Sequence, residues 1–156
     1  EGTKEWRLLW WQTIINYTVR GEYFWTGKGF GINLADDDGF QVTEDHSLRS
    51  PHNGHLTFLA RAGVPGLILW AGLQISYFIS LFSCYRRWKQ KGCYIESRLC
   101  LWVLTYWLAF MVTGAFDVFL EGPQGGIWFW SIIGSGVGII YAERQQVYFK
   151  QRSELS

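Results

Sequence analysis

The chain has 156 residues, room for one domain or for one piece of a larger protein. A formal net charge of +1 excludes a nucleic-acid partner held by a strongly basic surface. The residues are 49% hydrophobic and 19% aromatic, with ten Trp, and Trp and Tyr are favoured where one end of a ring is dry and the other wet, as at a membrane interface.

The chain begins Glu1-Gly2-Thr3 with no signal-peptide pattern, and its one Met is Met111. It reads as the C-terminal part of a longer protein. The mean hydropathy of +0.02 conceals a division. Residues 1–63 carry most of the acids and read as water-exposed, whereas residues 64–142 hold nearly all the long apolar runs.

Trp6 to Tyr17 is expected to form an amphipathic helix with Trp6, Leu9, Trp10, Ile14 and Tyr17 on or near one face and Arg7 beside it. Arg20-Gly21 supplies its stop signal. Gly27-Lys28-Gly29-Phe30-Gly31 is a glycine-rich turn that lacks the spacing and preceding strand of a phosphate-binding loop. Asp36-Asp37-Asp38-Gly39 reads as a solvated acidic turn, without the regular spacing of a calcium loop. Ser50-Pro51 reads as an N-cap and first helical residue, so that His52, His55, Leu56 and Leu59 fall on adjoining faces of the helix that follows. His52 and His55 have no convincing third partner for zinc, so no metal site is expected. From spacing alone, His52 is a surface imidazole or a proton acceptor, with nothing to choose between them. Asn53 either hydrogen-bonds a substrate or satisfies the free backbone groups of the first helical turn.

Three membrane spans follow. Residues 64–83 are twenty residues without a charge, and a helix of that length rises about 30 Å, the thickness of a bilayer's hydrocarbon core. Residues 99–117, uncharged from Leu99 to Phe116, and the shorter, glycine-rich 126–142 complete the set. Arg86, Arg87, Lys89, Lys91 and Arg98 lie between the first and second, none between the second and third, and Arg144, Lys150 and Arg152 after the third. The positive-inside rule then puts 84–98 and the 143–156 tail in the cytoplasm, and residues 1–63 and the 121–125 turn on the periplasmic or extracellular face. Cys84, Cys93 and Cys100 fall toward the cytoplasmic side and match no zinc or disulfide framework, which makes them plain thiols. The glycines of 134–138 either let helices approach closely or reflect the general abundance of glycine in membrane helices. Asp117, at the outer end of the second span, is either functional or simply solvated. The expected fold is thus an all-α membrane protein: an outer-face loop region with amphipathic helices, then three transmembrane helices.

The stretch Arg49 to Trp70, with its His52-Asn53 pair, short amphipathic helix and Gly63-Val64-Pro65-Gly66 entry into a span, resembles the O-antigen ligase and polymerase family of bacterial membrane proteins. Glu5-Trp6-Arg7-Leu8-Leu9-Trp10 resembles that family's Arg-x-x-Trp element, and Gly27 to Gly31 sits where the family has a Gly-x-Gly turn. The resemblance covers about residues 5–70; the later spans match chiefly in arrangement. It implies a many-spanning inner-membrane protein that works on the periplasmic face. Such a protein moves a glycan from an undecaprenyl diphosphate carrier to an acceptor hydroxyl, with no cofactor. The acceptor is the lipid A core in ligases and another carrier-linked repeat unit in polymerases. The resemblance maps the catalytic histidine onto His52 and a diphosphate-binding arginine onto Arg7, and places a further arginine earlier than this chain begins. Lys28 departs from the small apolar residue common in the turn, and either helps hold an anionic substrate or is a surface lysine.

The residue types suit that chemistry. An imidazole, with an ordinary pKa of about 6.5, accepts a hydroxyl proton near neutral pH. A guanidinium grips phosphate oxygens through a planar, permanently charged fork. Because diphosphate is a good leaving group, no metal is required. The rival readings are a polysaccharide polymerase of the same family and a non-catalytic membrane segment of the transporter kind. Transporters set ionisable groups deep within spans, whereas here the three runs are free of charge and the polar groups gather outside them.

Overall fold

The computed structural model describes residues 2–117 and 122–154, with side chains over 4–117 and 122–146. Glu121 of the expected outer turn, and the side chains of Lys150 and Arg152 in the expected tail, lie outside the described residues. The elements are all helical: α1 (Gly2–Val19), α2 (Leu34–Asp37), α3 (Gly54–Gln90), α4 (Tyr94–Gly114) and α5 (Pro123–Glu154). Three of them, α3, α4 and α5, are long and apolar enough to cross a membrane. The helices fall into two compact units, residues 1–72 with 112–122, and residues 73–111 with 123–156.

The first unit is built on one face of α1. Trp10 and Ile14 are fully buried against Leu34, Ala35, Leu59 and Ala60, with Trp6, Tyr17 and Phe40 packed around them. The Trp10 ring stacks on Phe40 at 5.3 Å and meets Trp6 edge-on at 5.2 Å. Leu9 departs from the expected face and is 60% exposed. It sits one residue, about 100° of helix turn, away from Trp10, so a stripe centred on 6, 10, 14 and 17 leaves it outside. The helix ends where Gly21 passes the Tyr17 carbonyl so closely that any Cβ would strike backbone.

Helix α3 is bent rather than straight. Gly63 has φ 68° and ψ −171°, interrupting the helical ladder between 54–62 and 64–90. A Cβ there would lie 2.5 Å from the Phe24 carbonyl oxygen, which accepts the Val64 amide at 2.8 Å. Only glycine combines this conformation with that approach. Pro65 then falls in the first turn of the resumed helix, where its missing N–H costs little.

The acidic turn is solvated at Asp36 and Asp37, as expected, but not at Asp38. Asp36 and Asp37 close the four-residue α2, capped by Asn33, whose side chain accepts the Ala35 amide at 3.0 Å. The Asp38 side chain is fully buried and gathers three donors: Trp10 Nε1 at 2.6 Å, Tyr17 Oη at 3.3 Å and Lys28 Nζ at 2.5 Å. It is the polar centre of the unit. Four residues of mixed sequence signal gave no hint that one carboxylate would turn inward.

In the second unit, residues 73–90 of α3 pack with α4 and α5 through aromatic and hydrogen-bonded contacts. Trp107 Nε1 donates to Gln74 Oε1 at 2.8 Å, and Tyr77 Oη donates to the Ile132 carbonyl at 3.1 Å. Of the glycines at 134–138, only Gly136 is closely approached; the Tyr77 hydroxyl occupies the place a Cβ would take. Buried Glu143 accepts from Arg87 Nε at 3.0 Å and Lys91 Nζ at 3.1 Å, so two of the basic residues between the first two runs are matched by a carboxylate on α5. Cys84 and Cys100 are buried free thiols with sulfurs 4.0 Å apart.

Candidate functional site

The candidate site lies wholly in the first unit. Its first part is α1. Arg7, Leu8 and Trp11 on α1, with Lys4 one turn earlier and Phe116 just beyond α4, line a cleft of about 460 Å³. Arg7 and Trp11 are four residues apart and therefore neighbours on the helix surface. The Arg7 Nε is buried and has no hydrogen-bond partner among the described residues. A buried donor left unsatisfied costs about 1–3 kcal/mol, so an acceptor that entered the cleft beside Arg7 would be favoured there. Two cations beside three apolar side chains make a cleft suited to an anion carrying an apolar tail.

Its second part is the loop before α3. The expected Ser50 cap is displaced by three residues. Helix α3 starts at Gly54, and Asn53 is its N-cap, its Oδ1 accepting the Leu56 amide at 3.0 Å. Pro51 therefore precedes the helix, and His52 lies outside it with φ 52°. This left-handed conformation costs a non-glycine residue about 1–2 kcal/mol and persists only where the surroundings impose it. The loop is held on both sides. Downstream stands the Asn53 cap; upstream, the Trp11 Nε1 donates to the Pro51 carbonyl at 2.8 Å.

The His52 side chain is one-third exposed, and its Nδ1 stands 3.8 Å from Asp117 Oδ1. That is beyond hydrogen-bond length but well within reach of a favourable charge interaction once the ring is protonated. The end of α4 comes this close because Gly54 lets it: a Cβ on Gly54 would lie 3.2 Å from the Gly114 carbonyl oxygen. His55, one turn on, is engaged elsewhere. Its Nδ1 accepts from Trp70 Nε1 at 3.3 Å, since an indole nitrogen can only donate. No group of three or more His, Cys, Asp or Glu side chains placed to hold a metal ion occurs among the described residues.

Two short links join these parts. Trp11 belongs to the cleft and bonds the residue before His52. Phe116 belongs to the cleft and precedes the aspartate facing His52. Arg7, His52 and Asn53 are thus brought into one region. Lys28 has its own partners: its ammonium lies 2.5 Å from both Asp37 and Asp38 and 4.2 Å from the centre of the Tyr17 ring, and its side chain is 10% exposed. It is not a surface lysine. The glycine turn around it grips α3, with the Lys28 and Gly29 amides donating to the Ala60 and Arg61 carbonyls at 2.8 and 2.9 Å. Buried Arg61 reaches back to the carbonyls of Gly29, Phe30 and Ile32 at 3.1–3.3 Å. Arg61 carries no signal in the sequence, and Asp38 is marked there only as part of an acidic turn, because a cation solvating carbonyls and a carboxylate solvated by ring donors leave no spacing signature.

Residues 1–71 match the family model described as O-antigen ligase. No curated protein and no solved structure matches the chain. The matched segment contains Arg7, Trp11, Lys28, His52 and Asn53, and stops at Ala71, the residue after Trp70.

Proposed function

We propose that this chain, which carries an O-antigen ligase family segment over residues 1–71, is the part of a multi-pass membrane glycosyltransferase that joins a lipid-linked glycan to its acceptor. The donor is a glycan on undecaprenyl diphosphate, and the acceptor is a hydroxyl of lipid A core or a similar glycan. The reaction takes place on the periplasmic face of the bacterial inner membrane. The observation that carries this reading is the buried Arg7 Nε, without a hydrogen-bond partner among the described residues, in a cleft of two cations and three apolar walls tied by Trp11 to the His52 loop.

The roles follow from the chemistry. Arg7, with Lys4 beside it, holds the diphosphate through charge-assisted hydrogen bonds that strengthen as negative charge develops on the departing oxygen. Leu8, Trp11 and Phe116 face the apolar carrier next to it. His52 takes the acceptor's proton through Nε2, because Nδ1 is turned to Asp117. The freed oxygen attacks the anomeric carbon of the donor sugar, the bond from that carbon to the diphosphate oxygen breaks, and attack opposite the leaving group inverts the anomeric centre. Asn53 serves the reaction by fixing the helix start beside His52.

Arg7→Lys tests the clamp. An ammonium keeps the charge but cannot make the forked contact. Losing a charge-assisted hydrogen bond of about 1.5–3 kcal/mol predicts a fall in transfer of about 10–100-fold in membranes carrying the full-length protein at normal levels. A wild-type rate would remove Arg7 from the diphosphate site.

A further inference from the structure

We infer that Trp11, besides walling the cleft with its ring, is a positioning residue for His52, acting through its indole N–H on the Pro51 carbonyl. The inference rests on the reading of His52 as the proton acceptor.

Three observations meet at this bond. The first is length and isolation in sequence: Trp11 Nε1 and the Pro51 oxygen are 2.8 Å apart across forty residues of chain. The second is the conformation it adjoins. His52 follows Pro51 directly and has φ 52°, an arrangement that relaxes unless both neighbours are fixed. Asn53 is fixed by capping α3, and Pro51 is buried, but a proline has no N–H with which to anchor itself. Its carbonyl is the group by which the upstream side can be held, and Trp11 holds it. The third is placement. Trp11 is one turn from Arg7 on the same helix and shares its cleft. A rigid helix from Arg7 to Trp11 and a hydrogen bond from Trp11 to Pro51 set the distance between the diphosphate-binding group and the imidazole. In a transfer reaction that distance must match the span from diphosphate to attacking hydroxyl, and misplacement of about 1 Å can cost 10²-fold.

The other aromatic residues of α1 do not share this role. Trp10 gives its N–H to Asp38 inside the core, and Trp6 packs on Trp10 and Phe40. Trp11 is the one whose indole is directed to the catalytic loop.

The test is a double-mutant cycle in the full-length protein, in membranes that supply the cell's own lipid-linked glycan as donor. Rates are normalised to folded protein measured by gel filtration in detergent. Trp11→Phe keeps an aromatic wall in the cleft and removes the N–H. It is expected to lower kcat at least tenfold while the donor KM stays within twofold. In a His52→Ala background the same change is expected to lower the residual rate less than twofold, because there is no imidazole left to position. A wild-type kcat in Trp11→Phe overturns the proposal. So does an equal loss in both backgrounds, or a loss confined to KM, since either means that Trp11 acts on the fold or on the donor. Full activity in His52→Ala alone would instead remove the base reading on which the proposal stands, whatever Trp11→Phe does. Should phenylalanine fail to fold, benzothienylalanine at position 11, a tryptophan isostere with sulfur in place of the N–H, carries the same expectations.

Discussion

Two charged side chains of the first unit show how far a residue's role depends on its partners. Lys28 reads in sequence as either a holder of an anionic substrate or a surface lysine, and Asp38 as one of three solvated acids, yet each neutralises the other inside the core. Burial alone would lower the Lys28 pKa, but the hydrogen bonds from its ammonium to Asp37 and Asp38 outweigh it and hold the value above the ordinary 10.5. Burial, then the adjacent Asp38 charge, raises the Tyr17 hydroxyl above its ordinary 10.0. Both folded values exceed the unfolded ones, so the stability they confer is complete below about pH 10 and is lost as pH rises through the raised values. Thermal unfolding of the purified protein, followed by tryptophan fluorescence, should therefore lose stability steeply only above pH 10. A decline that set in at pH 8 would show that this cluster does not govern alkaline stability. None of this was legible in the sequence, because the pairing joins residues on three separate segments that only the folded core brings together.

At the scale of elements, the long apolar runs were legible because span length and absence of charge are physical demands of a bilayer. The start of α3 was not. Ser50-Pro51 carries every local signal of a helix start, but Asn53 is an equally good cap, and the close approach of Gly54 to the end of α4 favours the later one. This difference matters to function, since a start at Pro51 would place His52 in the first helical turn, whereas a start at Gly54 leaves it in a strained loop beside Asp117. The bend at Gly63 is the second device of this helix. Gly63→Ala would combine a left-handed strain of about 1–3 kcal/mol with a backbone clash against Phe24. It should lower the stability of the full-length protein by about 3 kcal/mol, read as a drop in unfolding temperature in detergent. An unchanged unfolding temperature would mean that the bend relaxes without cost.

For the whole molecule, three helices are long and apolar enough to cross a membrane, residues 1–71 match the O-antigen ligase family model, and the candidate chemistry lies outside the apolar runs. His52 and Arg7 could be marked from the sequence because their residue types and order resemble the family's. Trp11, Lys4 and Phe116 could not, since each is an ordinary interface residue until α1 and the end of α4 meet the loop before α3. The proposed division of labour is an arginine cleft for the lipid-linked diphosphate and a separate imidazole for the acceptor. The most direct test is the rate of glycan transfer by a full-length His52→Ala protein in its native membrane. Loss of a positioned base predicts a fall of about 10²–10⁴-fold with the folded amount unchanged; transfer at the wild-type rate would contradict the assignment of His52 and the mechanism built on it.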